Sequence, residues 1–264
     1  NLSGMLTITT ANAADNGISI TTGSAATSIN VAAGAASDTV SINAAALANN
    51  IVLTISSGGA AAGTINVTDL AGDMTVSDPA SGTISVSVTD NTVDDGIAIA
   101  AGASNLAIGG VADGDTVTVT GFTGSTLTGT IAGTTGKFSI TAGTAASNIT
   151  TGMGNDTFIF VAGTGLTSAD TVNGGAGIDT VALTGNTAAV AATNFNNVSN
   201  IEAITVENTT TNIVITTVNA LVAAGATLTL QATSLTTGIL TFNGAAETNG
   251  TFNITGGTGN DIIS

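Results

Sequence analysis

Gly174-Gly175-Ala176-Gly177-Ile178-Asp179-Thr180-Val181-Ala182 is the stretch on which the reading of this chain turns. It recurs as Gly256-Gly257-Thr258-Gly259-Asn260-Asp261-Ile262-Ile263-Ser264 and, with threonine for the first glycine, as Thr151-Gly152-Met153-Gly154-Asn155-Asp156-Thr157-Phe158-Ile159. The shared pattern is G-G-x-G-x-D-x-U-x, with U a large apolar residue, and nonapeptides of this form mark stacked β repeats. Glycine reaches backbone conformations with φ > 0 that other residues resist, so a Gly-x-Gly run turns tightly and leaves carbonyls pointing inward. The apolar residue two positions after the aspartate then starts a strand and anchors the turn to a core.

The same residues have a metal chemistry. The aspartate sets a charged oxygen beside inward carbonyls, and calcium accepts six to eight oxygens at roughly 2.3–2.6 Å. One nonapeptide supplies half a shell, so a full site needs a second turn stacked on it. Asp170-Thr171-Val172 precedes Asp179-Thr180-Val181 by nine residues, the period of the motif, and the two segments are expected at equivalent places on successive turns. Gly-rich, Asp-containing turns also serve as plain strand connections; two complete nonapeptides and a third lacking one glycine favour metal binding.

Composition narrows the class independently. There are 17 acidic residues and one base, Lys137, with no histidine, for a net charge of −16. Nucleic acid is excluded as a natural partner, because phosphate binding needs clustered Lys and Arg, and anionic membrane surfaces are disfavoured for the same reason. Without His or Cys, neither a Ser-His-Asp arrangement nor a Cys-His pair can be built, and the usual zinc ligand sets are missing. The chain also lacks Trp and Tyr, so an aromatic-lined substrate cleft has little to be made from. The expectation is a protein that is not an enzyme, with Lys137 a solvated lysine at a strand start. No disulfide can hold it together, which leaves that stapling role to calcium.

Period-2 alternation runs along the chain: Ile18-Ser19-Ile20, Thr39-Val40-Ser41-Ile42, Thr64-Ile65-Asn66-Val67, Thr83 to Val88 and Thr116-Val117-Thr118-Val119 read as short strands. Helical patterns are brief, at Ala44 to Asn49, Ala188 to Phe195 and Asn219 to Ala224, and Pro79 after Asp78 marks a turn. No stretch reaches the roughly 18 to 20 continuous apolar residues of a transmembrane helix, so no membrane insertion is expected. A looser repeat links Gly17 to Ile42, Gly96 to Val119 and Gly136 to Phe160, each a strand, a Gly-Ala-Ser turn, another strand and, at its end, an Asp-Thr-apolar segment. Small repeating units too thin to bury a face alone imply stacking. The expected fold is all-β: an elongated, repetitive β-solenoid or β-roll with small β-sandwich-like layers and calcium-binding Gly/Asp turns. Its expected divisions are a repetitive β-rich region (1–135), a calcium-binding block (136–200), a β-rich spacer (201–250) and the start of a further nonapeptide block (251–264).

The segment from Gly152 to Asn208, with TGMGNDTFIF, ADTVNGGAGIDTVALTG and FNNVSNIEAITVEN, resembles the RTX (repeats-in-toxin) block of bacterial proteins exported by type I secretion. The surrounding Thr/Ala/Gly/Asn-rich, cysteine-free strands resemble more specifically the RTX-type S-layer proteins of Gram-negative bacteria. The resemblance implies Ca2+ as the cofactor, with Asp156, Asp179 and Asp261 as side-chain ligands and carbonyls from Gly152, Gly154, Gly175, Gly177, Gly257 and Gly259; Asp170 is a further candidate. It also implies a secreted protein at the extracellular cell surface, a structural subunit assembling with identical subunits into a lattice. A cell-surface polysaccharide would be held through a region outside this chain. The other readings are the stalk of a large RTX adhesin, the non-catalytic part of a secreted enzyme and, more remotely, a phage fibre or a parallel β-helix lectin. The sequence begins without a signal-peptide pattern and stops directly after a nonapeptide, so a longer parent protein is expected.

Overall fold

The computed structural model describes residues 4–9, 17–32, 39–48, 50–57, 63–77, 82–88, 95–131, 136–162, 164–185, 189–207 and 210–264. The expected turn at Pro79 and the ends of two expected helices, Asn49 and Ala188, lie outside the described residues. The chain forms two compact units, Asn1–Ile140 with Thr151–Met153, and Thr141–Thr150 with Gly154–Ser264.

In the first unit, successive strands go alternately to two sheets. Gly4–Thr9, Thr27–Ala32, Leu53–Ser57, Met74–Ser77, Gly96–Ala100 and Thr116–Phe122 pair in that order in one, all parallel. Gly17–Thr21, Thr39–Asn43, Thr64–Leu70, Thr83–Val88, Asn105–Val111 and Thr126–Ile131 pair likewise in the other. Each coil therefore lays one strand on each sheet and returns to pair with itself one coil later. The second unit repeats the scheme with Thr157–Val161, Thr180–Thr184, Ala203–Val206, Thr227–Gln231 and Thr251–Thr255 in one sheet. Asn148–Thr150, Thr171–Asn173 and Val198–Ser199 form a second, and Ala189–Val190, Ile213–Thr216, Leu240–Asn243 and Ile262–Ile263 a third. Both units are parallel β-solenoids, about ten coils in all, as the strand alternation and repeats led us to expect.

The coil length is uneven. Contacts between neighbouring coils join residues 20, 23, 24 and 27 positions apart. The loose repeat is this coil: Gly17 pairs with Thr39 and Ile20 with Ile42, so the copy from Gly17 to Ile42 is one full coil plus the strand that closes onto it.

Alternation decides what lies inside. In the first unit Ile29, Ile55, Val76, Ile99 and Val119 stack in register and none is more than 1 % exposed. In the second, Phe158, Val181, Ile204 and Leu230 do the same at 0 %. Burying one such side chain contributes about 1.5–3 kcal/mol, and the stacking repeats that gain on every coil. Threonine, serine and asparagine face outward between them, where Thr227 and Thr251 hydroxyls meet at 2.7 Å across neighbouring strands. The brief helical patterns become two 3₁₀ turns, Ala192–Phe195 and Asn219–Leu221, and a single turn closed by the Leu47 N–H on the Ala44 carbonyl at 3.0 Å. Lys137 is exposed at the start of the strand Lys137–Ala142. No helix among the described residues is long and apolar enough to cross a membrane.

Candidate cation-binding turns

Two nonapeptides fall on successive coils. Thr150 pairs with Asn173 on one side and Thr157 with Thr180 on the other, so the connections between them have equal length and start and end in register. Gly154-Asn155-Asp156 consequently lies against Gly177-Ile178-Asp179. The approach is close enough that a Cβ on Gly177, whose φ is +143°, would collide with the Gly154 carbonyl oxygen. Gly154 and Gly175 also have φ in the left-handed range, at +104° and +97°. Here glycine is required both by conformation and by space. The Asn155 side-chain oxygen accepts the Ile178 N–H at 2.9 Å and ties the loops together. Gly152 is half-buried and belongs to the first unit.

The aspartates face inward. Asp156 and Asp179 are 0 % exposed. Asp179 Oδ1 accepts the Asp156 N–H at 2.8 Å, and the Asp156 carbonyl accepts the Thr180 N–H at 2.8 Å, so the Asp179 carboxylate reaches back to the coil before it. The same stitch recurs where no nonapeptide is present: Asp115 accepts the Asp95 N–H at 2.9 Å and the Ala112 N–H at 2.8 Å. These carboxylates satisfy buried backbone donors at strand starts, a structural service independent of any metal.

The second oxygen of Asp179 accepts no such bond. Oδ2 is buried without a hydrogen-bond partner and lies against Gly174, where a Cβ would strike both it and the Asn200 carbonyl. Burial, the largest cause, pushes the Asp179 carboxyl up from 3.8 to about 7; the Asp156 N–H opposes the shift, and the nearby Asp156 and Glu202 charges add to it. A buried anionic oxygen with no donor beside a carbonyl fits a hard cation. Among the described residues no three acidic side chains converge on one point, so main-chain carbonyls would carry most of the coordination.

Asp170 sits elsewhere. The nine-residue spacing does not place Asp170 and Asp179 on successive coils: Thr171–Asn173 and Thr180–Thr184 belong to different sheets of the same coil, because the coil repeat here is 23 residues. Both Asp170 oxygens are engaged, Oδ1 by the Ser147 N–H at 2.8 Å and Oδ2 by the Thr167 N–H at 2.7 Å. Asp261 is half-buried; its Oδ1 accepts the Leu240 N–H at 2.9 Å and its Oδ2 folds against Gly256. Gly257 and Gly259 press on the Leu235 and Gly238 carbonyls. The C-terminal nonapeptide thus stacks on Leu235-Thr236-Thr237-Gly238-Ile239-Leu240, a turn without an acid.

Sequence reasoning passed over Glu202 as a site residue. Its carboxylate accepts the Asp179 N–H at 2.8 Å, repeating one coil later what Asp179 does for Asp156. The available signal was that Glu202 precedes Ala203-Ile204 as Asp179 precedes Thr180-Val181, 23 positions earlier. The fold and these turns define a parallel β-solenoid stitched by buried carboxylates. No family model matches the chain, and no curated protein or solved structure matches it either.

Proposed function

We propose that this chain is a secreted structural protein of the RTX type, a subunit that folds on binding calcium and assembles with copies of itself into an S-layer lattice on the cell surface. The observation that carries the reading is the stacked pair of nonapeptides, with Asp179 Oδ2 buried and without a donor. Calcium there would neutralise a buried charge in a chain whose single basic residue is Lys137.

Assembly is supported by where the charge lies. With a net charge of −16, copies repel one another, yet Ser41, Asn66 and Ser85, which pair in register on the strands Thr39–Asn43, Thr64–Leu70 and Thr83–Val88, are short and uncharged. Bridging calcium would take the place of salt bridges between subunits. A surface polysaccharide would be met by another part of the parent protein. Electron microscopy of the purified protein, with calcium and with chelator, tests the reading. Two-dimensional sheets that disperse in chelator support a lattice, isolated rods indicate an adhesin stalk instead, and monomers unaffected by calcium refute both.

A further inference from the structure

We propose that the short turn Asn200-Ile201-Glu202, outside every nonapeptide, forms the outer wall of the cation site at Asp179, taking a hard divalent cation such as Ca2+. This rests on the calcium reading above and adds residues that the nonapeptide pattern does not contain. The next coil crosses the same gap by a shortcut. Asn173 pairs with Ser199 and Thr180 with Ala203, so three residues, Asn200 to Glu202, span what Gly174 to Asp179 spans below them. Asn200 makes the sharper bend in the left-handed region, at φ +54°, and its side chain is fixed by a 2.7 Å hydrogen bond to Asn173 Oδ1.

That bend turns the Asn200 carbonyl toward Gly174, and Asp179 Oδ2 approaches the same glycine. Both are acceptors, and Asp179 Oδ2 has no donor. A buried carboxylate oxygen without a donor is unfavourable unless a cation meets it. Glu202 supplies the second full charge: held by the Asp179 N–H at 2.8 Å, it stands next in the column after Asp156 and Asp179. Glu202 is therefore a positioning and charge-supplying residue, with Asp179 Oδ2 and the Asn200 carbonyl the direct ligands.

Calorimetric titration of chelator-treated full-length chain with CaCl2 tests this. Glu202→Gln keeps an oxygen for the Asp179 N–H and removes only the charge, so the far-UV spectrum is expected to be retained while affinity at one site falls tenfold or more. Glu207→Gln, an exposed acid of the same coil, is expected to change affinity less than twofold. Equal effects of the two variants, or a Glu202→Gln titration matching wild type, overturn the role of this turn while leaving calcium binding standing. Absence of any saturable calcium uptake by the wild type overturns the calcium reading itself and this proposal with it. Should Glu202→Gln lose its strand signal, Glu202→Asp decides: it keeps the charge on a shorter arm, so binding at that site is expected to remain, weakened less than tenfold, and a folded Glu202→Asp without that site overturns the assignment.

Discussion

Replacing Asp179 with Asn should shift stability in opposite directions with and without calcium. Asparagine keeps an oxygen for the Asp156 N–H and places an amide N–H where Oδ2 stands without a donor. In the calcium-free protein the Asp179 carboxyl sits at about 7 instead of 3.8, chiefly because it is buried. The folded state thus holds this proton more tightly than the unfolded chain does. The resulting stability is fully present below about pH 4 and is lost as pH rises toward 7. A displacement of about three units at ~1.4 kcal/mol each sets the loss at most at about 4 kcal/mol. Asparagine has no charge to bury, so above pH 7 the calcium-free variant should be more stable than wild type. Half of the ceiling, about 2 kcal/mol, corresponds to roughly 4–8 °C in Tm for a unit of this size. At pH 4 the two should coincide. In calcium the order reverses, because the variant has lost a ligand. With no Trp or Tyr in the chain, scanning calorimetry at pH 4 and pH 8 is the suitable assay. A calcium-free variant that loses stability equally at both pH values would refute the reasoning, since the charged carboxylate would then be a net support of the fold.

The remaining predictions concern single residues. Gly177→Ala forces a side chain into φ +143° against the Gly154 carbonyl and should cost at least about 2–3 kcal/mol, whereas Gly225→Ala, at φ +76° with open space around it, should cost only about 1 kcal/mol; thermal melts compare them. Asp170→Ala strips the acceptor from the Ser147 and Thr167 N–H groups and should destabilise by about 2–4 kcal/mol while leaving calcium affinity unchanged by titration. Phe158→Ala opens the inner stack at a fully buried position and should cost about 3–5 kcal/mol, read from the calorimetric midpoint. Calcium affinity should rise as pH increases through about 7, because the ion displaces the Asp179 proton; titrations at pH 6 and pH 8 check it.

What the sequence disclosed and what it concealed have physical reasons. The strands were legible because Ile, Val and Thr alternate with a period of two, and a solenoid interior admits only one face of each strand. The nonapeptide turns were legible because Gly177 answers to a constraint on both φ and space that no other residue meets. The coil repeat was not, since corners of different length make it vary from 19 to 27 residues, and a nine-residue spacing between Asp170 and Asp179 then looked like a step between coils when it is a step within one. Glu202 stayed hidden because a three-residue corner with Asn200 at φ +54° replaces a six-residue one, and a longer acid restores the reach that the shorter path removes. The aspartates had a second meaning as well: Asp115 shows that an acid ahead of a Thr-apolar strand stitches coils through backbone N–H groups with no nonapeptide around it.

The central claim is that the stacked loops ending at Asp156 and Asp179 hold calcium as part of the fold. The most direct measurement is a calorimetric calcium titration of the chelator-treated chain beside its Asp179→Asn variant. The account predicts saturable binding in the wild type with at least one site missing from the variant; identical isotherms for the two proteins, or none with saturable heat, would contradict it.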